Sequence, residues 1–245
     1  MGGHVLRAIE QAAGLAVGAA LDSADHPALG KEVSPGVALS SDLPDAVARC
    51  QVAIDFSIPA ATLRLTAEAA TRGLPLVLAT TGLSAAEQLE IETAARSIAI
   101  VQAGNFSIGI TVLLDLVAEA ARRLDGYEIE VLEMHHKRKI DAPSGTALAL
   151  ARAAASARGT RLEDSAVYHR EGMTGPRPDG AIGMQSLRMA DVVGEHTVYL
   201  AGTGERIELS HRALSRDNFA MGAVRAANWV VDRRPGLYSM SDVLA

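Results

Sequence analysis

The sequence predicts a two-domain α/β protein, with a parallel sheet flanked by helices in the first domain and an open, mostly antiparallel sheet in a second, α+β domain. Strand and helix patterns alternate between residues 15 and 102 with short Gly and Pro punctuation, which is typical of a parallel sheet covered on both faces. From residue 182 onward, three strand patterns follow one another instead. Hydrophobic residues make up 49% of the chain and aromatic residues 3%, which indicates a core of Ala, Val, Leu and Ile.

The first domain opens with a helix and then alternates strands and helices in the Rossmann pattern. Val5, Leu6 and Ile9 have helical spacing, and Gly14 is placed to end this helix. A buried strand is predicted at 15–21. The later elements are a short helix near Asp45, a strand at 52–56, a helix from Pro59 to Arg72, a strand at 75–80, a helix at 85–96 that Ser84 caps, and a strand at 98–102.

The second domain begins with a long apolar helix at 108–124, which leads into a strand that ends at two histidines. Strands are predicted at 182–190, 195–201 and 205–213, and consecutive strands of this kind favour antiparallel pairing. A final helix at 219–231 is expected to pack back on the first domain. The predicted boundaries give a first domain of residues 1–106 and 217–245 and a second domain of residues 107–216.

The composition excludes several classes of protein. The net charge of −6 argues against a general nucleic-acid surface. The lone Cys50 excludes a disulfide framework within the chain and fits a reducing compartment. The apolar run at 12–21 is shorter than the ~20 residues of a membrane span. We therefore expect a cytoplasmic protein that binds neither nucleic acid nor a membrane.

One stretch, at 130–146, carries most of the candidate chemistry and reads E-V-L-E-M-H-H-K-R-K-I-D-A-P-S-G-T. Its first half alternates as a strand, so His135 and His136 start out on opposite faces. Three cations follow, and Ser144 opens an alanine-rich helix whose first backbone N–H groups attract anions. Proton donors therefore converge on a site suited to a carboxylate.

The same residues allow less specific interpretations. A pair of histidines on a strand is often a core or surface feature, and a run of cations is often a solvated face. Zinc binding is not supported, because adjacent histidines lack the i, i+4 spacing of a helical site and no Cys or Glu pattern accompanies them. No metal site is therefore predicted.

The pattern E-x-H-H-x-x-K-x-D-x-P-S-G-T resembles the signature of the 4-hydroxy-tetrahydrodipicolinate reductase family, and the similarity extends over essentially the whole chain. This resemblance implies an enzyme of lysine and diaminopimelate biosynthesis that reduces a small cyclic dicarboxylate, with NADH or NADPH as cofactor. It also implies that the first domain binds the dinucleotide and the second binds the substrate. The resemblance further implies a homotetramer that assembles through the sheet of the second domain.

The resemblance also implies roles for individual residues of the motif. His135 and Lys139 would be the proton donors, because reduction by a hydride leaves negative charge that a positioned acid must neutralise. His136 would contact the substrate. Gly145 and Thr146 would bind a substrate carboxylate through backbone N–H groups, to which Thr146 can add its hydroxyl.

Two short segments follow predicted parallel strands at their carboxyl ends, where open α/β sheets bind ligands. They resemble the nicotinamide-side segments of the family, G-T-T-G and A-x-N-F-S, although Ala79 replaces the common glycine. The cofactor-binding residues predicted in these segments are Ala79, Thr80, Thr81, Ala103, Gly104, Asn105 and Phe106.

Asp22 ends the strand at 15–21, where an acidic side chain would hydrogen-bond the adenosine ribose hydroxyls. No Arg or Lys follows before Lys31, so no nearby cation would hold a 2′-phosphate. The pattern therefore predicts NADH in preference to NADPH. A solvated turn aspartate is the alternative interpretation.

The pattern of the first domain lacks the initial strand and the Gly-rich phosphate turn of a dinucleotide-binding fold. In the family this turn resembles G-x-x-G-R-M-G, and Met1-Gly2 matches its last two residues. The missing strand would lie between those at 15–21 and 52–56. We therefore expect Met1 to be an internal methionine of a longer natural protein. A genuine N-terminus with a rearranged sheet is the alternative.

Two other functions stay open at this point. One is another Rossmann oxidoreductase acting on a small dicarboxylate, against which the long motif around His135 argues. The other is a non-catalytic chain that cannot hold nucleotide without its phosphate loop and acts as a binding or assembly partner.

Overall fold

The structure, a computed structural model, describes residues 1–245 and divides them into two units. Unit 1 contains residues 1–108 and 217–245, and unit 2 contains residues 109–216. None of the helices combines the length and the apolar character needed to pass through a lipid bilayer.

Helices and strands alternate along most of the chain. In order they are α1 (Gly2–Gln11), β1 (Ala20–Leu21), β2 (Glu32–Ser34), β3 (Val37–Ser40), α2 (Leu43–Arg49), β4 (Ala53–Asp55), α3 (Pro59–Arg72), β5 (Leu76–Leu78), α4 (Ala85–Ala94), β6 (Ala99–Gln102), α5 (Ile108–Arg123), β7 (Glu128–His135), α6 (Gly145–Ala157), α7 (Leu162–Ser165), β8 (Ala166–Val167), β9 (Ile182–Arg188), β10 (Gly194–Gly202), β11 (Glu205–Ala213), α8 (Asp217–Val230), β12 (Gly236–Tyr238) and α9 (Met240–Leu244).

Local sequence signals fix several helix ends in unit 1. Ser84 and Glu87 form a capping box at the start of α4, in which each side chain accepts the backbone N–H of the other residue. Pro59 is the first residue of α3, where a backbone N–H would have no helical partner. Gly73 ends the same helix with φ of 69°, a left-handed conformation that glycine adopts without steric cost. These predicted helix ends are confirmed.

Four parallel strands form the main sheet of unit 1, in the order β12-β6-β5-β4. Val77 and Val101 pack with residues of α8 in one buried cluster. Leu76 and Ile100 pack with residues of α3 and α4 in another. Alternate residues of the two central strands thus face helices on opposite sides, which confirms the predicted parallel sheet covered on both faces.

The strand predicted at 15–21 is shorter than expected and belongs to a separate sheet. Ala20 and Leu21 form β1, which pairs with β3 in the order β1-β3-β2 and does not pair with β4. Just before it, a Cβ added to Gly18 would lie 3.2 Å from the carbonyl oxygen of Arg49 at the end of α2. This stretch of backbone therefore packs on a helix end and not along a strand. The segment that follows it contains the antiparallel pair β2 and β3.

Sequence periodicity does not predict two elements at the end of the chain. β12 pairs in parallel with β6, with Gly236 opposite Ala99, but a strand of three residues is too short to show alternation. α9 begins after Ser239, which forms a capping box with Asp242. That S-x-x-D spacing was a usable helix signal in the sequence.

β7 is the central strand of the five-stranded sheet of unit 2, which has the order β11-β10-β7-β9-β8. β7 pairs antiparallel with β10 and parallel with β9. The predicted antiparallel pairing of consecutive strands is confirmed for β10 and β11. It is wrong for β9 and β10, because β7 lies between them. The sheet is open: neighbouring strands pair antiparallel on the side of β7 that holds β10 and β11, and parallel on the side that holds β9 and β8.

The helix-covered face of β7 changes from apolar to polar along the strand. Ile129 and Val131 are buried in one cluster with residues of α5 and α6. Glu133 and His135 continue the same face toward the carboxyl end of the strand. The apolar core of unit 2 therefore gives way to polar side chains at this end.

Candidate active site

A row of polar side chains crosses the unit 2 sheet beside the apolar core. Glu133 on β7 lies directly opposite His196 on β10 and Ser186 on β9. His211 on β11 lies opposite His196. Because directly opposite residues share one face of a sheet, these side chains from four strands occupy the same end of the helix-covered face.

Glu133 has 0% exposure, and its carboxylate accepts hydrogen bonds from four residues: His135, Arg188, Ser144 and Ser186. Its carboxylate accepts from Nδ1 of His135 at 2.5 Å, the guanidinium of Arg188 at 2.9 Å and the backbone N–H of Ser144 at 3.3 Å. Burial alone would raise the pKa of this carboxylate, but hydrogen bonds from His135, Arg188 and Ser186 lower the pKa to about 2. Glu133 is therefore ionised at neutral pH although it is closed off from solvent.

The imidazole of His135 is held on two sides and keeps 12% of its side chain exposed. Nδ1 bonds to Glu133, and the ring of His196 meets the ring of His135 edge to face with 5.2 Å between centroids. Nε2 makes no hydrogen bond within the protein. Nε2 is therefore the ring atom available to a ligand.

His196 is buried and links the sheet to α6. Its Nε2 lies 3.0 Å from Oγ of Ser144, whereas its Nδ1 is buried without a hydrogen-bond partner. Burial, helped by the neighbouring charge of His135, lowers the pKa of His196 to about 4. The His196 ring is therefore neutral near pH 7 and adds no positive charge beside His135.

Ser144 fixes the start of α6. Its Oγ accepts the backbone N–H of Ala147 at 3.1 Å, and its own backbone N–H donates to Glu133. Gly145 is exposed, and a Cβ added to it would meet no atom within 4 Å. Thr146, the next residue, is half-buried. The first turn of this helix therefore faces open space, where the helix dipole favours a negative group.

The loop between β7 and α6 carries the remaining predicted residues of the motif. Nζ of Lys139 donates to both carboxylate oxygens of Asp141 at 2.8 Å, and this contact is the main cause of the lowered pKa of Asp141. Arg188 holds the loop by donating to the carbonyl oxygen of Asp141 at 2.5 Å. Nε2 of His136 lies 3.4 Å from the guanidinium of Arg216. The ammonium group of Lys139 is thus paired with a largely exposed acid.

Glu133 connects the predicted proton donor His135 to the start of α6 through two hydrogen bonds, so these two parts of the motif lie together. Lys139 acts on the same region, since its charge is one of the smaller causes that lower the pKa of His196. Glu133 is the first residue of the motif, but the sequence analysis assigns it no role in the site. Arg188 and His196 come from β9 and β10, and no sequence pattern identifies them as members of the site.

In unit 1, the two predicted cofactor segments leave the carboxyl ends of the neighbouring parallel strands β5 and β6. The backbone N–H groups of Ala79 and Ala103 continue the interstrand hydrogen bonding, at 2.8 and 3.1 Å. A Cβ added to Gly104 would lie 3.8 Å from Cγ2 of Thr81. The two segments therefore lie side by side at the edge where open α/β sheets bind ligands.

Two of the predicted cofactor residues direct their side chains into the protein. Thr80 is buried, and its hydroxyl lies 2.7 Å from that of Thr62 and 3.2 Å from the carboxylate of Asp55. Phe106 is also buried, and its carbonyl oxygen lies so close to α8 that a Cβ added to Gly222 would overlap it. Any contact that these two residues make with a nucleotide therefore comes from their backbone.

The other members of these segments are more accessible. Thr81 and Gly104 are exposed, and Asn105 is half-buried with its Oδ1 accepting the backbone N–H of Ser107 at 2.8 Å. Small exposed residues at the ends of two neighbouring strands leave room for a flat ring and offer backbone polar groups to it.

Asp22 follows β1 directly and is about half exposed, with 49% of its side chain accessible. Its Oδ1 accepts the backbone N–H of Ser23 at 2.8 Å, and its Oδ2 lies 4.0 Å from Nε2 of His26. Asp22 is thus at a strand end, as the sequence predicts, and has no Lys or Arg as an ion-pair partner.

Two models of one protein family together match nearly the whole chain. The model described as dihydrodipicolinate reductase, N-terminus, matches residues 1–106. The model described as dihydrodipicolinate reductase, C-terminus, matches residues 109–244.

Relatives named 4-hydroxy-tetrahydrodipicolinate reductase align along the full length. The protein of Halorhodospira halophila is 45% identical, with 100% of this chain and 94% of the relative covered. That of Methylocella silvestris is 47% identical, with 100% and 93% covered. That of Akkermansia muciniphila is 55% identical over 83% of each chain.

Solved structures share the fold. The dipicolinate-bound dihydrodipicolinate reductase from Paenisporosarcina sp. TG-14 superimposes with a TM-score of 0.76 at 22% identity, covering 96% of this chain and 92% of that chain. GenD2 from gentamicin A biosynthesis, in complex with NAD, gives a TM-score of 0.63 at 14% identity, covering 99% and 86%. At these identities the likeness is evidence for the fold alone.

Proposed function

The chain belongs to the dihydrodipicolinate reductase family, and we propose that it reduces 4-hydroxy-tetrahydrodipicolinate to tetrahydrodipicolinate in lysine and diaminopimelate biosynthesis. In this reaction a hydride and a proton are added and one water is lost. A nicotinamide nucleotide supplies the hydride when it is bound. Binding the dicarboxylate and delivering the proton are the tasks of this chain's own residues.

His135 delivers the proton in this proposal. The support is its geometry, since Nδ1 is anchored on Glu133 while Nε2 has no partner within the protein. Lys139 is the second donor and assists loss of the hydroxyl group as water or protonation of the ring. The contact of its Nζ with Asp141 supports this role by fixing the direction of the side chain.

The start of α6 binds a substrate carboxylate through the backbone N–H groups of Gly145 and Thr146, and His136 contacts the substrate. The open space before Gly145 and the firm N-cap at Ser144 support this assignment. A carboxylate at this place completes the helix N-terminus and is stabilised by the helix dipole.

Unit 1 holds the nucleotide, and unit 2 holds the substrate. The fit of unit 1 to a nicotinamide nucleotide is supported by the two adjacent segments after β5 and β6, with their small and exposed members. The residues proposed to contact the nucleotide are Ala79, Thr80, Thr81, Ala103, Gly104, Asn105, Phe106 and, at the ribose, Asp22.

NADH is the preferred cofactor in this proposal, because Asp22 accepts hydrogen bonds from ribose hydroxyls and repels a 2′-phosphate. The test compares kcat/KM for NADH and NADPH in the wild type, in Asp22→Ala and in Asp25→Ala, a nearby acidic control. We expect the Asp22→Ala change alone to reduce the preference. A wild-type kcat/KM that is higher with NADPH would contradict the assignment.

A cytoplasmic homotetramer assembled through the unit 2 sheet is also proposed. Support comes from the sheet face that points away from α5 and α6, where the half-buried Leu132, Met134 and Tyr199 share one side with Leu187, which is 40% exposed. Light scattering coupled to size-exclusion chromatography measures the subunit number. Leu187→Glu, placed on this face, should shift the mass toward smaller species, and an unchanged mass would argue against this interface.

The single observation that carries the proposed function is the buried Glu133, which joins the proton donor His135 to the anion-attracting start of α6. The test follows NADH oxidation in the presence of enzymatically generated 4-hydroxy-tetrahydrodipicolinate. We expect oxidation that depends on this substrate and yields tetrahydrodipicolinate in equal amount. Oxidation with other small dicarboxylates alone would favour a different oxidoreductase of this fold. No oxidation with any of them would favour a non-catalytic chain.

A further inference from the structure

The carboxylate of Glu133 is surrounded by groups that donate hydrogen bonds. Arg188 donates to both carboxylate oxygens, the backbone N–H of Ser144 donates to one, and Nδ1 of His135 lies 2.5 Å from the other. With Arg188, Ser144 and Ser186 as partners besides His135, the carboxylate cannot turn away from the imidazole without leaving buried donors unsatisfied. The carboxylate is therefore a rigid support for the ring.

An ionised carboxylate has acceptor sites and no hydrogen to donate. A neutral imidazole, in contrast, carries one N–H and one unprotonated nitrogen, and its hydrogen-bond partner determines which is which. Because Glu133 only accepts, the nitrogen of His135 that faces it carries the hydrogen. The unprotonated nitrogen of the neutral ring is then Nε2.

From this geometry we infer that Glu133 is a positioning residue that holds neutral His135 with its hydrogen on Nδ1, so that Nε2 alone exchanges the proton with the substrate. The inference rests on the proposed function. In the step, the N–H bond at Nε2 of the imidazolium breaks and the proton joins the atom that received the electron pair during reduction. A neutral imidazole with hydrogen on Nδ1 remains, and solvent returns a proton to Nε2.

The other neighbours of His135 cannot replace Glu133 in this role. Arg188 is a donor without an acceptor site, so it can fix the carboxylate but cannot accept a hydrogen from Nδ1. The rings of His196 and His135 meet edge to face, and Nε2 of His196 is engaged with Ser144. Removal of the charge at Glu133 therefore leaves the tautomer of His135 without a fixed partner.

The direct test is nitrogen NMR of the histidine side chains in the wild-type protein, at a pH where the imidazole is neutral. His135→Gln identifies the signals by their loss. We expect Nδ1 of His135 to be the protonated nitrogen and Nε2 the unprotonated one. The opposite assignment in the wild type would overturn the inference, whatever the variants do.

Glu133→Gln supplies the second test, because the amide can both donate to Nδ1 and accept from it. We expect a mixture of His135 tautomers and a fall in kcat of about 10- to 100-fold, with KM for substrate changed less than about threefold. The control is Glu130→Gln, on the same strand. Glu130 also pairs with two arginines, Arg170 and Arg177, but it lies on the other face of the sheet.

The outcomes separate this inference from the proposed function. A variant Glu133→Gln that folds, keeps hydrogen on Nδ1 and keeps its kcat would overturn the inference. If this variant does not fold, the wild-type spectrum decides alone. If the wild type shows hydrogen on Nδ1 but turns over no 4-hydroxy-tetrahydrodipicolinate, the positioning role is supported and the proposed function is contradicted.

Discussion

Gly194 lies against the imidazole of His135, and a Cβ added to this glycine would be 3.0 Å from Nε2 and 3.4 Å from Cδ2. In Gly194→Ala the ring therefore has to shift by a few tenths of an ångström. Because proton transfer depends on where the acid lies relative to the substrate, we expect this shift of the His135 ring to lower kcat roughly tenfold with little change in KM. Steady-state kinetics measures both constants. Gly3→Ala is the control, because its Cβ would meet only the end of Arg7 at 3.7 Å. Equal loss of kcat in the two variants would show that the contact with His135 is irrelevant.

The two proposed proton donors should affect turnover more than binding. Loss of a general acid typically costs about 10²- to 10⁴-fold in rate, so His135→Ala and Lys139→Ala should each lower kcat strongly and change KM far less. Lys137→Ala is the control, since Lys137 is an exposed cation of the same loop. The measurement is NADH oxidation at several substrate concentrations. A variant whose main change is in KM would identify that residue as a binding group.

The order of elements in unit 1 and the motif at the start of α6 are predictable from the sequence because their signals are local. Ser84, Gly73 and Ser144 each act on the backbone within a few residues, through capping or through positive φ. Arg188 and His196 reach the site from β9 and β10, which lie on either side of β7. No local pattern encodes that order, so these two residues could not be predicted.

The directions of the side chains in the cofactor segments also could not be predicted from the sequence. Thr80 and Phe106 belong to motifs that suggest ligand contacts, yet both side chains are buried against other parts of unit 1. Their directions depend on Thr62, which lies on α3, and on the close approach of α8 at Gly222. Such packing becomes visible only in three dimensions.

The buried His196 should make stability depend on pH. Its pKa, lowered by burial and by His135 to about 4, is below the value of 6.5 expected for the unfolded chain. Between these values the unfolded state binds more protons, so the free energy of unfolding falls as the pH is lowered from 6.5 toward 4. At pH 5 this loss amounts to about 2 kcal/mol.

The test is urea denaturation at pH 7 and pH 5 of the wild type and of His196→Gln. The loss of stability between the two pH values should be about 2 kcal/mol smaller in the variant. His169→Gln, in which an exposed histidine is replaced, should behave as the wild type. Glu133 is ionised at both pH values, because its pKa is about 2 in the folded protein and 4.5 is the value expected for the unfolded chain. Its contribution to the free energy of unfolding is lost only as the pH falls below 4.5 toward about 2. Equal losses in His196→Gln and wild type would contradict a neutral buried His196.

Gly222 should be essential for the segment that ends at Phe106. An added Cβ would overlap the carbonyl oxygen of Phe106, and this atom belongs to the backbone and cannot rotate away. We expect Gly222→Ala to lower the free energy of unfolding by ~1–3 kcal/mol and to raise KM for NADH, because the segment moves. Denaturation and NADH titration measure the two effects. Met221→Ala, a change at a neighbouring exposed residue, should alter neither. Wild-type stability in Gly222→Ala would contradict this close approach.

β7 is synthesised before both strands that flank it, since β9 and β10 follow it in the chain. A nascent chain therefore contains β7 before either of its neighbouring strands exists, and Glu133 lacks Arg188 until β9 has been synthesised. Such long-range strand pairing forms slowly because the entropy of loop closure comes first. Enzyme activity in this fold therefore requires contacts that form late, such as the one between Glu133 and Arg188. The rate at which activity returns after denaturation would measure the formation of these long-range contacts.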